Sequence, residues 1–167
     1  RMDDNNGSAN SVSDYLGLNN GTAMYDAVQT QNGYFGKGFE FDGDGDYVDV
    51  SDNEGIRFYT NNFTIVSWFK STGGNVNPTL FGKGDTDSGE FMFRLASTGD
   101  LNFYANGGTY NLKEGNSVFG DNLWHFGVLV RAGNITSIYL DTGTPSSATG
   151  PIVNFSTSKN VNLGCAD

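Results

Sequence analysis

The chain has 167 residues, a formal net charge of -10 at pH 7 and an aromatic content of 14%. This length suits one domain, and so many aromatic side chains supply a sizeable core, which argues against disorder. The acidic charge argues against nucleic acids and anionic membranes as partners. One cysteine and one histidine exclude an internal disulfide framework and a cysteine-based zinc site. No apolar run approaches the roughly 20 residues that span a bilayer.

The first part of the chain combines a polar segment with an acidic turn. Residues 1–37 are rich in Asn, Asp, Ser and Gly and contain few strand signals, so we expect them to wrap the edge of a β-structure. Two β-rich runs, Gly38–Phe41 and Tyr47–Val50, then flank the acidic turn Asp42–Asp46. Because Asp and Gly favour tight turns, this arrangement predicts a hairpin.

The remaining strand signals are short β-branched and aromatic runs between turn residues. They are Phe63–Lys70, Glu90–Leu95, Leu101–Ala105, Trp124–Arg131, Ile135–Leu140 and Val161–Cys165. The second and third runs predict one hairpin, and the fourth and fifth predict another. No long window has a helical period, so the sequence predicts an all-β, antiparallel sandwich or barrel.

Five segments together resemble laminin-G-like jelly rolls of the concanavalin A-like lectin/glucanase superfamily. In chain order they are Asp14–Thr22, Gly36–Val48, Asn62–Lys70, Trp124–Val130 and Ile138–Gly143. The resemblance covers most of the chain and implies a single domain over residues 1–167. That domain would be an antiparallel two-sheet β-sandwich of the jelly-roll, concanavalin A-like type.

The resemblance also implies strands at both ends that this sequence does not supply. Members of the family usually finish with a strand of the pattern G-x-I-D-E-V-R-I-Y, which is missing here, and the expected first strand is cut short at Arg1. We therefore expect the domain to lack its last strand and part of its first. Either residues 1–167 are a piece of a longer chain, or a neighbouring subunit donates the strand by β-augmentation.

Two loops are candidates for binding Ca²⁺. Asp42, Asp44 and Asp46 place carboxylates at alternate positions of a Gly-rich turn, and Ca²⁺ prefers such oxygen ligands. The turn does not match an EF-hand. The loop from Asp14 to Asn20 offers a second site, with Asp14 and Asn19 as ligands. Laminin-G-like folds often carry calcium, so the resemblance favours this cofactor, whereas a plain solvated turn is the alternative.

Aromatic residues beside turns are candidate sugar platforms, because a sugar's C–H bonds stack on aromatic faces. The tip from Tyr104 through Asn106 to Tyr110 combines two such rings with an amide, and Tyr47 and Tyr59 also lie near turns. Exposed tyrosines near turns are also common without a function.

The two tryptophans, Trp68 and Trp124, are interpreted as core residues, because they lie in strong strands that match the family. Alternation places His125 on the face opposite Trp124, where we expect a structural role.

These features predict a non-catalytic, lectin-like module that binds a glycan or glycoprotein. The family's glucanases carry a Glu-x-Asp-x-x-Glu strand, and no such spacing occurs here, so we expect no enzymatic activity. The polar, weakly charged composition suits an extracellular, cell-surface or virion-surface location, with no membrane insertion. The alternative is a structural assembly unit of a fibre, capsid decoration or surface layer, in which identical subunits exchange strands.

Overall fold

The computed structural model describes residues 10–74, 78–84, 90–105, 110–115 and 118–164. Within these ranges the chain forms fourteen strands and one short 3-10 helix, Glu54–Ile56, and no helix there is long and apolar enough to cross a membrane. The strands are β1 (Ser11–Val12), β2 (Gly21–Met24), β3 (Val28–Thr30), β4 (Gly38–Glu40), β5 (Tyr47–Val50), β6 (Phe63–Lys70), β7 (Thr79–Lys83), β8 (Phe91–Leu95), β9 (Leu101–Ala105), β10 (Tyr110–Glu114), β11 (Trp124–Ala132), β12 (Ile135–Leu140), β13 (Ser146–Thr149) and β14 (Val161–Gly164).

Two antiparallel sheets pack face to face, which confirms the predicted all-β sandwich. The larger sheet has the order β1-β2-β5-β14-β7-β8-β9-β10, and the smaller has the order β13-β12-β11-β6. Their facing sides share one hydrophobic core, in which Phe91, Phe93 and Phe103 of the large sheet meet Leu129 and Ile138 of the small sheet. All five side chains are almost completely buried. Burial of this apolar surface is the main stabilising contribution to the sandwich.

Strand pairing confirms two of the three predicted hairpins. β8 pairs with β9, and β11 pairs with β12, each across a short turn. The hairpin predicted around the acidic turn is wrong, because β4 pairs with β3 while β5 pairs with β2 and β14. Because β3 and β4 form a separate two-stranded sheet, the acidic turn connects that sheet to the large sheet. Its strands found partners that are distant in sequence, which local turn signals do not reveal.

The four strands of the small sheet cover only part of the larger sheet. The other part carries a separate apolar cluster, in which Val48, Val50 and Val161 pack with Phe39 and Phe41 from the segment that begins at β4. Between the two clusters lies a cavity of about 320 Å³. It is lined by Ile65, Val66 and Ser67 of β6 and by residues of the large sheet that include Val50, Leu80, Phe81, Val161 and Leu163.

The interpretation of both tryptophans as core residues is wrong. Along β11 the residues that point into the sandwich are His125, Gly127, Leu129 and Arg131, whereas Trp124 and its alternate neighbours lie on the outer face. Trp68 pairs with Phe126 and is 38% exposed. Tyr34, from the turn between β3 and β4, stacks on Trp68 with 3.6 Å between ring centroids. Residues 10–37 therefore do more than wrap an edge, since they supply β1, β2 and β3 and Tyr34 covers part of an aromatic outer face.

Candidate functional site: an acidic cluster with an aromatic rim

Pairing of β2 with β5 brings two turns together at one end of the large sheet. Met24 is the register partner of Tyr47. Asp26 lies two residues after Met24, and Asp46 lies immediately before Tyr47. Antiparallel pairing therefore places the turn after β2 beside the turn before β5. This neighbourhood depends on strand register, so the acidic turn alone does not indicate it.

Three carboxylates meet where these turns adjoin. One carboxylate oxygen each from Asp26, Asp42 and Asp46 lies within 4.8 Å of the other two. Asp46 is buried, whereas the other two side chains are exposed. The backbone N–H of Asp42 donates to Asp46 Oδ2 at 2.8 Å, and that of Gly43 donates to Asp46 Oδ1 at 3.3 Å. These hydrogen bonds from its own turn hold the buried Asp46 carboxylate in place. The exposed carboxylates of Asp26 and Asp42 lie close to it.

Two tyrosines stand beside the acidic cluster. Tyr25 directly precedes Asp26 and Tyr47 directly follows Asp46, and their ring centroids are 6.0 Å apart. Tyr25 is 77% exposed, and its φ of 54° lies in the left-handed region that non-glycine residues rarely adopt. The residue that precedes Asp26 therefore presents an exposed ring in an unusual backbone conformation.

The cluster has the chemistry of a site for a hard divalent cation. Calcium takes oxygen ligands at about 2.3–2.6 Å, so two ligands of one ion are at most about 5 Å apart. The 4.8 Å limit on the three oxygens meets this requirement. Three negative charges this close repel one another, and a cation between them would remove that repulsion.

Of the predicted metal ligands, Asp42 and Asp46 belong to the cluster and the others do not. Asp44 is exposed in the same turn, and its backbone N–H donates to Asp42 Oδ1 at 2.8 Å. Asp14 Oδ2 accepts hydrogen bonds from the N–H groups of Leu18 and Asn19 in its own loop. Asp26 was not among the predicted ligands.

The Asn19 side chain takes part in another contact. Its Oδ1 accepts a hydrogen bond from Asn53 Nδ2 at 2.8 Å.

The predicted sugar-binding tyrosines do not come together on one surface. Tyr110 is buried with its hydroxyl donating to the Pro151 carbonyl, so it presents no ring face to solvent and that prediction is wrong. Tyr104 is half-buried, and the Arg94 guanidinium lies 5.2 Å from its ring centroid. Tyr59 is half-buried and donates to Glu54. Asn106 lies outside the described residues.

Comparison with known families identifies the class of the domain. The Laminin G 3 model, described as concanavalin A-like lectin/glucanases superfamily, matches residues 42–167. This match includes most of the chain, and the observed antiparallel sandwich agrees with it. The chain therefore belongs to the concanavalin A-like lectin/glucanase superfamily. None of the curated proteins compared with the chain matches it.

Proposed function

We propose that this domain is a non-catalytic, lectin-like module that binds a glycan or glycoprotein at the acidic cluster. The carrying observation is the convergence of three carboxylates beside an exposed tyrosine, Tyr25. Domains of this superfamily often bind carbohydrates. We further propose that the module belongs to a larger protein displayed at an extracellular, cell or virion surface, with no membrane insertion of its own.

In this proposal Asp26, Asp42 and Asp46 hold Ca²⁺. The bound cation would neutralise the three carboxylates and offer open coordination positions to sugar hydroxyls. Tyr25, the exposed ring, would stack on the apolar face of the same sugar. One such site gives a weak affinity, about millimolar to micromolar, so repeated display on a surface would increase the overall avidity.

The distribution of the glutamates supports the absence of a glycosidase function. Retaining and inverting glycosidases need a pair of carboxyl groups roughly 5–10 Å apart, one of them able to donate a proton. The four glutamates are dispersed: Glu40, Glu54 and Glu114 lie on β4, the 3-10 helix and β10, and Glu90 is buried just before β8. The one group of three carboxylates among the described residues contains only aspartates, and its spacing also suits a cation.

A glycan and polysaccharide array, probed with and without EDTA, tests the proposal. We expect binding in calcium that is lost in EDTA and in Asp26→Asn. Asp44→Asn removes the same charge from a neighbouring position outside the cluster and should bind like the wild type. Calcium at one hundred times its Kd should also stabilise the wild type by about 2.7 kcal/mol, seen as a rise in Tm that Asp26→Asn loses. Equal binding by both variants would contradict the assigned site.

The free edge of β6 favours a second candidate, the assembly unit with strand exchange. Among the described strands β6 pairs only with β11, and its open side borders the apolar cavity between the sheets. A donated strand could pair with this edge and bury alternate side chains against Val50 and Val161.

Light scattering across a concentration series tests this candidate. Strand exchange predicts a wild-type oligomer and a monomeric Val66→Lys variant, because lysine on an edge strand opposes pairing. A wild type that stays monomeric at every concentration would argue against subunit exchange.

A further inference from the structure

The outer face of the small sheet carries an aromatic corner, formed by Tyr34, Phe35 and Trp68. The rings of Tyr34 and Trp68 are stacked at an interplanar angle of 6°. The Phe35 ring stands almost perpendicular to both, at 89° to Tyr34 and 85° to Trp68. These three rings therefore form two walls of a notch on the surface of the domain.

The exposure of this corner exceeds what anchoring of the β3–β4 turn requires. Stacking of Tyr34 on Trp68 already fixes the turn to the sheet. Phe35 remains 70% exposed and Tyr34 remains 44% exposed. Exposure of large aromatic side chains to water is unfavourable, and a contiguous exposed patch of them is typical of an interaction site. Phe35 in particular contacts Tyr34 and Trp68 yet leaves most of its surface exposed.

A lysine, Lys70, lies beside the corner. Lys70 Nζ is 5.7 Å from the Trp124 ring centroid, and Trp124 in turn is 5.8 Å from Tyr34. No Asp or Glu of the described residues forms an ion pair with Lys70. In a chain with net charge -10, this local positive charge stands out against an acidic surface.

We propose that the aromatic corner binds a pyranose ring that carries a carboxylate, such as a uronic acid unit of an acidic polysaccharide. The C–H face of the ring would stack on Phe35 with its edge against Tyr34, while the carboxylate would pair with Lys70. No cation is needed at this site, so it is separate from the acidic cluster and does not rest on the function proposed there.

Tryptophan fluorescence reports on this site alone. The chain has two tryptophans, and both Trp68 and Trp124 belong to the aromatic surface around the corner. Titration in EDTA with oligogalacturonate should therefore change the emission, because calcium plays no part. The fully methyl-esterified oligomer has the same rings without the charge, and we expect it to bind at least about tenfold more weakly.

Two substitutions separate stacking from charge. Phe35→Ala should weaken oligogalacturonate binding by about tenfold or more. Lys70→Gln should weaken binding of the acid and leave binding of the ester unchanged. Tyr15→Ala removes a tyrosine that is 84% exposed elsewhere and serves as the matched control, with unchanged binding. Because Phe35 is 70% exposed, its variant should lower the Tm only slightly.

Three results would overturn the proposal. They are the absence of any emission change with oligogalacturonate, equal affinity for acid and ester, and equal affinity of Phe35→Ala and wild type. Asp26→Asn should leave this titration unchanged. A failure at the acidic cluster and a failure at the aromatic corner therefore give different results.

Discussion

The two faces of the small sheet reverse the usual distribution of side chains. On β11 the inner face carries His125 and Arg131, both buried, while Trp124 and Phe126 lie on the outer face and remain partly exposed. The inner polar groups are tolerated because each finds partners inside the fold. The outer aromatic groups stay partly exposed because the turn at Tyr34 covers only some of them. Burial on this sheet thus depends on available partners and not on polarity alone.

Arg131 is the strongest example on the inner face. Its guanidinium donates to the carbonyls of Asn61 (3.1 Å), Val153 (2.7 Å) and Tyr59 (2.9 Å). It also lies against the rings of Phe63 and Phe155, at 5.5 and 5.1 Å from their centroids. Burial lowers the pKa of this guanidinium. One side chain therefore connects two loops to the sheet.

The largest expected effect comes from Arg131→Met. It leaves the carbonyls of Asn61 and Val153 without the Arg131 donor, while the Tyr59 carbonyl keeps the N–H of Phe155, and we expect a loss of about 3 kcal/mol in the free energy of unfolding. Val130→Thr, at the next position on the outer face, should cost less than about 1 kcal/mol. Urea denaturation measures both. Equal losses would show that the two faces contribute alike and would remove the contrast between them.

His125 gives the second prediction, a dependence of stability on pH. Its Nδ1 lies 2.8 Å from Asp141 Oδ2, and its Nε2 lies 2.9 Å from Asp121 Oδ2. Burial alone would lower the pKa of His125, but the hydrogen bonds and charges of Asp141 and Asp121 raise it overall. A raised pKa means that the folded state prefers the charged imidazole. This stabilisation is complete below the unfolded pKa of about 6.5 and is lost as pH rises through the folded value.

Urea unfolding between about pH 5 and 9 measures this effect. The wild type should lose stability as pH rises through this window, and His125→Gln should show a much flatter profile, since Gln does not titrate. His125 is the chain's single histidine, so its NMR titration gives the folded pKa directly. A folded pKa below that of an unfolded histidine would reverse the sign and refute the prediction.

The smallest expected effect belongs to the outer face. Tyr34→Ala removes one stacked ring from Trp68, and an aromatic pair contributes about 0.5–1.5 kcal/mol beyond its buried area. We expect a loss of about 1 kcal/mol together with a red shift of tryptophan emission as Trp68 becomes more hydrated. A loss as large as that of Arg131→Met would mean that the β3–β4 turn is essential to the sandwich.

Local patterns predicted the parts of the fold that depend on neighbouring residues. The β8–β9 and β11–β12 hairpins join adjacent runs, so turn residues were sufficient to identify them. The partner of β5 could not be found this way, because β2 and β14 are distant in sequence. Alternation correctly placed Trp124 and His125 on opposite faces of β11. It did not reveal which face points inward, since that depends on the position of the second sheet.

The same distinction explains the candidate site. Asp42 and Asp46 share one turn and were recognised from their spacing. Asp26 joins them only through the β2–β5 register, which no local signal encodes. Tyr110 lies beside a turn and was expected to be exposed, yet its hydroxyl donates to the Pro151 carbonyl and its ring is buried.

The central position of β14 affects how the chain acquires its structure. β14 pairs with β5 on one side and β7 on the other, so it joins the two halves of the large sheet. During synthesis both halves emerge first and expose strand edges that stay unpaired until Val161–Gly164 leaves the ribosome. Contacts between residues so far apart in sequence close slowly, and exposed edges in the meantime promote aggregation. Production of this domain should therefore be sensitive to chaperone supply and to premature termination near β14.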